Sequence, residues 1–272
     1  MSTEVEDRQF AELTAKIARE REFRCDSYKD KCLRRRIAVR MRARGVHTYS
    51  DYARVLDQDA IEWDKLMDAL TINVTKLFRN WETYGVLADR IAPMLLAEVR
   101  DQVKVWSAGC SSGEESYSLA TLFHRAGEKA RTPVSPQRVR VLGTDIDRRS
   151  LEAAQRGLYP EEAFADTPKE YRDRYFTPGF PAGALPAIRA LVGFERRDLL
   201  LESPPPGGHH MIVCRNVLIY FDRDTQEGLF NRFHDALLPG GILVLGKVET
   251  LIGGIRNKFA ALDARERIYR KL

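Results

Sequence analysis

A loop of small residues followed by acidic side chains is the clearest chemical feature of the sequence. The loop runs from Gly109 to Gly113, and Glu114 and Glu115 follow it directly. Glycine lets a backbone turn tightly and lets a ligand approach it closely. The G-x-x-x-G spacing differs from the G-x-G-x-x-G of dinucleotide sites, and no Lys-Ser/Thr pair follows, which excludes a P-loop. Taken alone, the loop is equally consistent with an ordinary tight turn.

The acidic residues around this loop favour a cationic ligand. Asp145 ends the next predicted strand, where a carboxylate can bind both hydroxyls of a ribose. Glu114 and Glu115 would repel a phosphate at the start of their helix, but they suit the ammonium and sulfonium of S-adenosylmethionine. For Glu114, stabilisation of the helix dipole is an alternative explanation.

Alternating strands and helices place these residues at one edge of a predicted parallel sheet. Ligands of such α/β sheets lie outside the carboxyl ends of the strands. The residues from Cys214 to Asp222 follow another strand at the same edge, which places Asn216 and Tyr220 near the ligand. The predicted strands are 103–108, 139–144, 210–214 and 241–245, the first helix of this region is 114–126, and 259–262 pairs with 267–269 as an added edge.

The first 70 residues or so are predicted to be helical. Leu33, Ile37 and Met41 recur every fourth residue and form a narrow apolar stripe. Gly45 is predicted to end this helix, and Thr48 is predicted to cap the next one.

The same helix carries most of the clustered positive charge. Eight basic residues and one acid lie between Tyr28 and Arg44, and Arg36, Arg40 and Arg44 are predicted to form a basic stripe. A solvated charged face and a surface that steers an acidic partner are both consistent with this pattern.

Composition excludes several classes of protein. The chain has 272 residues, 44% of them apolar and 31% charged, as in ordinary globular proteins. No apolar window is long enough to span a membrane, and the acidic N-terminus is unlike a secretory signal. The net charge of +5 is too mild to indicate nucleic acid by itself. The four cysteines lack CxxC spacing, so we predict free thiols in the cytoplasm and no metal site.

Four motifs together resemble the bacterial chemotaxis receptor methyltransferases, the CheR type. They occur in the family's order, and the likeness extends from about Phe23 to Arg270. The second and fourth are long and therefore specific. The motifs are Asn73 to Arg79, Trp106 to Ser118, Gly143 to Asp147 and Cys214 to Asp222, with Leu238-Pro239-Gly240-Gly241 as a more generic fifth match.

The resemblance implies a two-domain enzyme. An all-α domain (1–72) would precede a Rossmann-like class I S-adenosylmethionine-dependent methyltransferase domain (73–272), whose product is S-adenosylhomocysteine. Arg79 and Tyr220 would lie beside the transferred methyl group. The cofactor-binding residues implied by the family are Asn73, Thr75, Arg79, Gly109, Glu115, Asp145, Asp198, Leu199, Arg215 and Asn216.

The family also implies where a substrate docks. The basic helix would bind the acidic cytoplasmic helical region of a chemoreceptor through Arg34, Arg35, Arg36, Arg40 and Arg42. Residues 159–194 match a candidate subdomain insertion that grips a receptor tail peptide in some members. Because 177–183 lacks an alternating strand pattern, we predict weak or absent tail tethering.

The sequence departs from the family at three places. Ser116 replaces a proline that usually follows the paired glutamates, and Asp198 replaces a frequent asparagine. Gly246-Lys247-Val248-Glu249 replaces a more common His-Ser-Glu pattern. The change at Asp198 exchanges a neutral hydrogen-bonding partner for an acidic one.

The expected reaction is methylation of receptor glutamates to methyl esters. A glutamate is already ionised at neutral pH, so no general base is needed. Two other functions stay open: a non-catalytic module that senses S-adenosylmethionine, and a methyltransferase for another macromolecule. Nucleic acid is disfavoured, because Arg215 to Tyr220 differs from the Asn/Asp-Pro-Pro-aromatic loop that is typical of enzymes acting on flipped bases.

Overall fold

The computed structural model describes residues 3–71 and 74–272. By its internal contacts, the chain divides into two compact units. The described residues up to Thr71 form a helical unit that also includes Tyr220–Thr225. The remaining residues form an α/β unit. The sequence did not predict that a segment so distant along the chain would join the helical unit.

The helical unit is built on amphipathic helices. Leu33, Ile37 and Met41 are all buried, as their spacing predicts. The helix that carries them is followed by Gly45 in the left-handed region, at φ 67°. Thr48 caps the next helix by accepting the N–H of Asp51 at 3.0 Å. The helices are α1 (Thr3–Arg21), α2 (Asp30–Ala43), α3 (Tyr49–Gln58) and α4 (Ala60–Leu70).

A buried ion pair joins three helices of this unit. Glu62 of α4 is completely buried. Arg40 of α2 donates two hydrogen bonds to its carboxylate, at 2.9 and 2.7 Å, and the hydroxyl of Tyr52 in α3 donates a third at 2.7 Å. Arg44 pairs with Asp59 at 3.0 Å. A buried carboxylate is tolerated when it is paired and hydrogen-bonded in this way.

The α/β unit contains a seven-stranded mixed sheet in the order β5-β2-β1-β6-β7-β9-β8. The first five strands of that order run parallel, whereas β9 pairs antiparallel with both β7 and β8. The predicted parallel sheet and the added edge pair are both confirmed. The sheet strands are β1 (Val103–Ala108), β2 (Val139–Asp145), β5 (Val192–Arg196), β6 (His209–Cys214), β7 (Leu237–Leu245), β8 (Phe259–Asp263) and β9 (Ile268–Lys271).

Helices cover this sheet. The helix predicted at Glu114 extends to Lys129 and is buried along most of its length. The helices are α5 (Trp81–Val86), α6 (Ala92–Glu98), α7 (Glu114–Lys129), α8 (Arg148–Arg156), α9 (Lys169–Tyr175), α10 (Pro186–Arg189) and α11 (Arg223–Ala236), with a π-helical turn (Leu87–Ile91) joining α5 to α6. The apolar core lies between these helices and the sheet.

The candidate insertion at 159–194 has little β structure of its own. It contains a very short antiparallel pair, β3 (Leu158–Tyr159) with β4 (Ala182–Gly183), and an isolated bridge between Phe176 and Ala184. Its last residues belong to β5, which is an edge strand of the main sheet. Residues 192–194 of the candidate insertion are therefore part of the main sheet.

Within residues 3–71 and 74–272, no helix is long and apolar enough to cross a membrane. No cluster of His, Cys, Asp and Glu there is arranged to hold a metal ion. All four cysteines are free.

Candidate functional site

The glycine loop follows the carboxyl end of β1. Gly109, Ser111 and Gly113 all have positive φ, at 77°, 48° and 91°. A Cβ on Gly109 would lie 2.6 Å from Cγ2 of Val217, and one on Gly113 would lie 2.8 Å from Cβ of Ala154. The backbone angles and the close neighbours therefore both favour glycine at these two positions.

Asp145 ends β2 beside this loop. Its Oδ2 accepts the N–H of Ser111 at 2.7 Å, and its Oδ1 accepts the N–H of Asp147 at 3.0 Å. Burial raises the pKa of Asp145, and the two backbone N–H groups oppose this rise. Each carboxylate oxygen keeps a further lone pair. The side chain can therefore accept the two hydroxyls of a ribose.

Glu115 lies in the first turn of α7 and is buried. Its Oε1 accepts the hydroxyl of Ser107 in β1 at 2.8 Å. Burial raises the pKa of Glu115 to about 7; Arg215 and the Ser107 hydrogen bond lower it, whereas the charge of Glu249 raises it. Such a carboxylate would gain stability from a cationic ligand that enters its pocket.

Arg79 lies in a strained loop. The residues on either side, Phe78 and Asn80, have φ of 52° and 61°. The N–H of Phe78 donates to Ser118 Oγ at 2.8 Å, and that of Asn80 donates to Asp166 Oδ2 at 2.9 Å. Left-handed non-glycine residues cost roughly 1–2 kcal/mol each, and such strain concentrates at functional sites. These contacts hold Arg79 in a fixed backbone position.

Arg215 joins the end of β6 to this loop. It is buried, and its Nη2 donates to the carbonyl of Arg79 at 2.9 Å and to Asn80 Oδ1 at 3.3 Å. Its guanidinium carbon lies 5.3 Å from the ring centre of Tyr84. The Arg79 side chain in turn donates to the Val74 carbonyl at 2.9 Å. Residues from all four predicted motifs therefore meet at one edge of the sheet.

Two buried acceptors at this edge support the fit of a ligand. Ser111 Oγ and Asn216 Oδ1 have no hydrogen-bond partner among the residues that the structure describes. Buried polar groups of native proteins are normally hydrogen-bonded, so unsatisfied ones need an explanation. S-adenosylmethionine offers donors of the right kind, namely an ammonium, ribose hydroxyls and an amino group on adenine. The residues present therefore fit this cofactor.

Four predicted cofactor residues lie at the border of this group or outside the described residues. Asp198 follows β5, and its Oδ1 accepts the N–H of Leu200 at 2.7 Å, which closes its own turn. Leu199 lines a narrow recess together with Trp106. Thr75 is partly exposed, and Asn73 lies outside the described residues.

Tyr220 belongs to the helical unit by its contacts. Its carbonyl accepts the N–H of Lys29 at 2.9 Å, and its ring centre lies 5.4 Å from the guanidinium carbon of Arg36. The predicted role of Tyr220 beside the methyl group stays a prediction.

The predicted docking arginines of α2 differ in what they contact. Arg40 is bound to the buried Glu62, as described above. Arg36 donates to the Ala69 carbonyl at 2.6 Å, and Arg34 pairs with Asp7 at 2.8 Å and stacks on Phe10. These three side chains have roles within the helical unit. The predicted stripe of Arg36, Arg40 and Arg44 is therefore not a freely exposed surface.

Three other basic residues of α2 face solvent, and two of them are predicted docking arginines. Lys31, Arg35 and Arg42 are exposed, and no ion pair is found for them within the described ranges. Their spacing of four and seven residues puts them on one face of the helix. This face is called the α2 basic face below.

Sequence reasoning missed two residues of the site. Ser107 orients Glu115, and Glu249 binds the loop after β6. The signal for Ser107 was its place near the end of β1. Glu249 was noticed as part of a departure from the family pattern, but no role followed from that.

Comparison with known proteins places the chain in a family. Residues 73–268 match the model for the CheR methyltransferase SAM-binding domain, and residues 8–71 match the model for the CheR methyltransferase all-alpha domain. A chemotaxis protein methyltransferase of Listeria innocua is 33% identical over 87% of this chain and 87% of its own length. One of Klebsiella aerogenes is 36% identical over 82% of this chain and 76% of its own.

A third relative is much longer. It is a 104.1 kDa protein of Rhodobacter capsulatus, 36% identical over 90% of this chain, and the chain spans 26% of its length. Together with the two matched domains, these relatives confirm the predicted fold, enzyme class and cofactor. The chain belongs to the CheR methyltransferase family.

Proposed function

We propose that this protein methylates glutamate side chains in the cytoplasmic helical region of a chemoreceptor. The observation that carries the proposal is the meeting of Glu115, Asp145 and Arg215 with the Arg79 loop at the carboxyl edge of the sheet. This arrangement supplies acceptors for a cationic nucleoside and a guanidinium for a carboxylate. Because the receptor is cytoplasmic at that region, we also assign the protein to the cytoplasm.

The cofactor would be held at both ends. Glu115 would bind its ammonium and Asp145 its ribose hydroxyls, while Asn216 would accept a further hydrogen bond. Asp198 and Leu199 would border the adenine, and Thr75 would complete the pocket. S-adenosylmethionine supplies a methyl group on a sulfonium, which a carboxylate oxygen can take up to give an ester.

Arg79 would position the substrate carboxylate. A guanidinium makes forked, charge-assisted hydrogen bonds to carboxylates. The substrate is already ionised at neutral pH, so the protein needs no general base. Its contribution is then mainly orientation, for which a rigid backbone at Arg79 is suited. Tyr220 would donate a hydrogen bond or shape the wall beside the methyl group.

The α2 basic face is the surface proposed for receptor docking. Lys31, Arg35 and Arg42 are exposed there, whereas Arg40 and Arg36 are held by internal contacts. An acidic helical surface complements such a face. Tail tethering is proposed to be weak, because the β3–β4 pair is two residues long and offers little edge for an added strand.

The proposal is tested by transfer of labelled methyl groups. Pure protein is incubated with radiolabelled S-adenosylmethionine and receptor-bearing membranes. We expect label on the receptor. Binding of S-adenosylmethionine without any transfer would favour the sensing module, and label on nucleic acid or on another protein would favour the other alternative.

Arg79→Ala separates positioning from cofactor binding. We expect turnover to be abolished while affinity for S-adenosylmethionine falls much less, because the guanidinium faces the substrate. Binding is measured by calorimetry and turnover by label transfer. Equal losses of both would show that Arg79 serves the cofactor or the fold. Arg90→Ala, at an exposed position in the π-helical turn, is the matched control.

A further inference from the structure

Glu249 is a buried carboxylate that binds two separate loops of the α/β unit. It is 4% exposed and lies shortly after β7. Its Oε2 accepts the N–H of Gly246 at 2.7 Å and of Asn216 at 3.0 Å, and its Oε1 accepts the N–H of Ile219 at 3.3 Å. One side chain thus connects the turn after β7 with the loop after β6.

The fit around this carboxylate is tight. A Cβ on Gly246 would lie 2.7 Å from Glu249 Oε2 and 2.8 Å from the nitrogen of Asn216. Asn216 itself has φ of 61°, which is uncommon for residues other than glycine. Glu249 therefore accepts a hydrogen bond from the backbone of the strained residue itself. The carboxylate therefore stabilises a backbone conformation that is unfavourable on its own.

This conformation has a consequence for the Asn216 side chain. Its Oδ1 is buried and lacks a hydrogen-bond partner in the described part of the protein. The neighbouring Arg215 is held by the Arg79 loop. Asn216 is thus fixed on one side by Glu249 and on the other by Arg215, with its acceptor kept available.

Glu249 also acts on Glu115 through charge. The charged groups that set the pKa of Glu115 are Arg215 and Arg79, which lower it, and Glu249, which raises it. The hydroxyl of Ser107 lowers it through a hydrogen bond. The charge of Glu115 in turn raises the pKa values of three neighbouring groups, namely the thiols of Cys110 and Cys214 and the phenol of Tyr84.

We propose that Glu249 is a positioning residue for the binding of S-adenosylmethionine. It holds Asn216 in the left-handed conformation, and this conformation presents the Asn216 Oδ1 to the cofactor. It touches neither cofactor nor substrate in this role. The proposal concerns cofactor binding and is independent of which macromolecule is methylated. Failure of receptor methylation would therefore leave it intact.

Glu249→Gln is the first test. The amide replaces one acceptor oxygen with an N–H donor, which faces the backbone N–H donors and loosens the loop. We expect the Kd for S-adenosylmethionine, measured by calorimetry on the full chain, to rise about tenfold. Glu266→Gln is the matched control. Glu266 is buried in the same unit, where it accepts from the Thr83 side chain and pairs with Lys247 of the turn after β7 at 3.5 Å. It makes no contact with the Asn216 backbone, so we expect a Kd within about twofold of wild type.

The pH dependence of S-adenosylmethionine binding is a second measurement, and a loss of protein stability alone would not change it. Glu249→Gln removes a negative charge that raises the pKa of Glu115, so the midpoint of the pH profile for S-adenosylmethionine binding shifts to lower pH. A wild-type Kd in Glu249→Gln would overturn the proposal. So would an equal rise of the Kd in Glu249→Gln and Glu266→Gln, because only Glu249 accepts the Asn216 N–H.

Glu249→Asp keeps the proposal testable if the Gln variant does not fold. Aspartate retains both acceptor oxygens and the charge, but it is one methylene shorter. We expect a weaker Kd, because the loop is held less firmly, with a midpoint that stays at the wild-type pH. A wild-type Kd would show that the reach of Glu249 does not position Asn216.

Discussion

Protonation of Glu115 gives the sharpest prediction about cofactor binding. Its pKa is raised to about 7, mainly by burial. The cofactor-free protein therefore carries an ionised Glu115 at about pH 8 and a largely protonated one at about pH 6. The ammonium of S-adenosylmethionine prefers the ionised form. We expect the contribution of Glu115 to binding to fall about tenfold between these two pH values.

Glu115→Gln provides the reference for this effect. At about pH 8 the substitution should weaken binding roughly 10- to 100-fold, the worth of a hydrogen bond to a charged group. The ligand's own amino group titrates in a similar range, so the quantity to follow is the ratio of wild-type to variant affinity. That ratio should fall about tenfold from pH 8 to pH 6.

The same substitution should stabilise the cofactor-free protein. The shift from the usual value of 4.5 to about 7 means that ionised Glu115 costs roughly 3 kcal/mol in the folded state. Because the folded state binds the proton more tightly, stability falls as pH rises from about 4.5 to about 7. Glu115→Gln should therefore be more stable by up to about 3 kcal/mol above pH 7, with the gain lost below about pH 4.5.

Calorimetry across this pH range, with urea unfolding of the cofactor-free proteins, measures both effects. An affinity ratio that does not change with pH would refute the assignment of Glu115 to the ammonium. A Gln variant that binds as tightly as wild type at pH 8 would refute it as well. A variant without added stability would show that the carboxylate is better solvated than its burial indicates.

Three further predictions concern other parts of the chain. Arg40→Ala should lower the free energy of unfolding by up to about 3 kcal/mol, because it removes two hydrogen bonds to buried Glu62 and leaves it only the Tyr52 hydroxyl and the more distant Arg44. Arg42→Ala should change the free energy of unfolding by less than about 0.5 kcal/mol in the same urea titration. Gly113→Ala should abolish S-adenosylmethionine binding in calorimetry, because its Cβ would meet Ala154 at 2.8 Å; wild-type affinity would contradict this. Receptor methylation at low substrate should slow as salt rises from about 50 to about 300 mM, and less steeply in Arg42→Ala; a salt-independent rate would remove the steering role.

The sequence predicted the features that depend on local pattern. The turn at Gly109–Gly113 and the apolar stripe of α2 follow from residue type and spacing within a few positions. Their neighbours along the chain are also their neighbours in space. Asp145 was placed correctly for a related reason, because parallel strands bring their carboxyl ends to the same edge.

The features that were missed depend on partners that are distant in sequence. Arg40 was assigned to docking, yet its guanidinium binds Glu62, which is 22 residues away. Glu249 binds the N–H of Asn216 across 33 residues. β5 was overlooked because it is a short edge strand, partly exposed, with a weak apolar pattern. None of these pairings leaves a periodic signal in the sequence.

The chemical nature of the methylated product tests the central claim most directly. Receptor labelled by the protein from radiolabelled S-adenosylmethionine is treated with mild base, and the released label is measured. A carboxyl methyl ester is hydrolysed under these conditions, so we predict release of the label as methanol. Label that stays on the receptor through base treatment would show methylation of nitrogen or of another stable group, and would contradict the assignment as a glutamate methyltransferase.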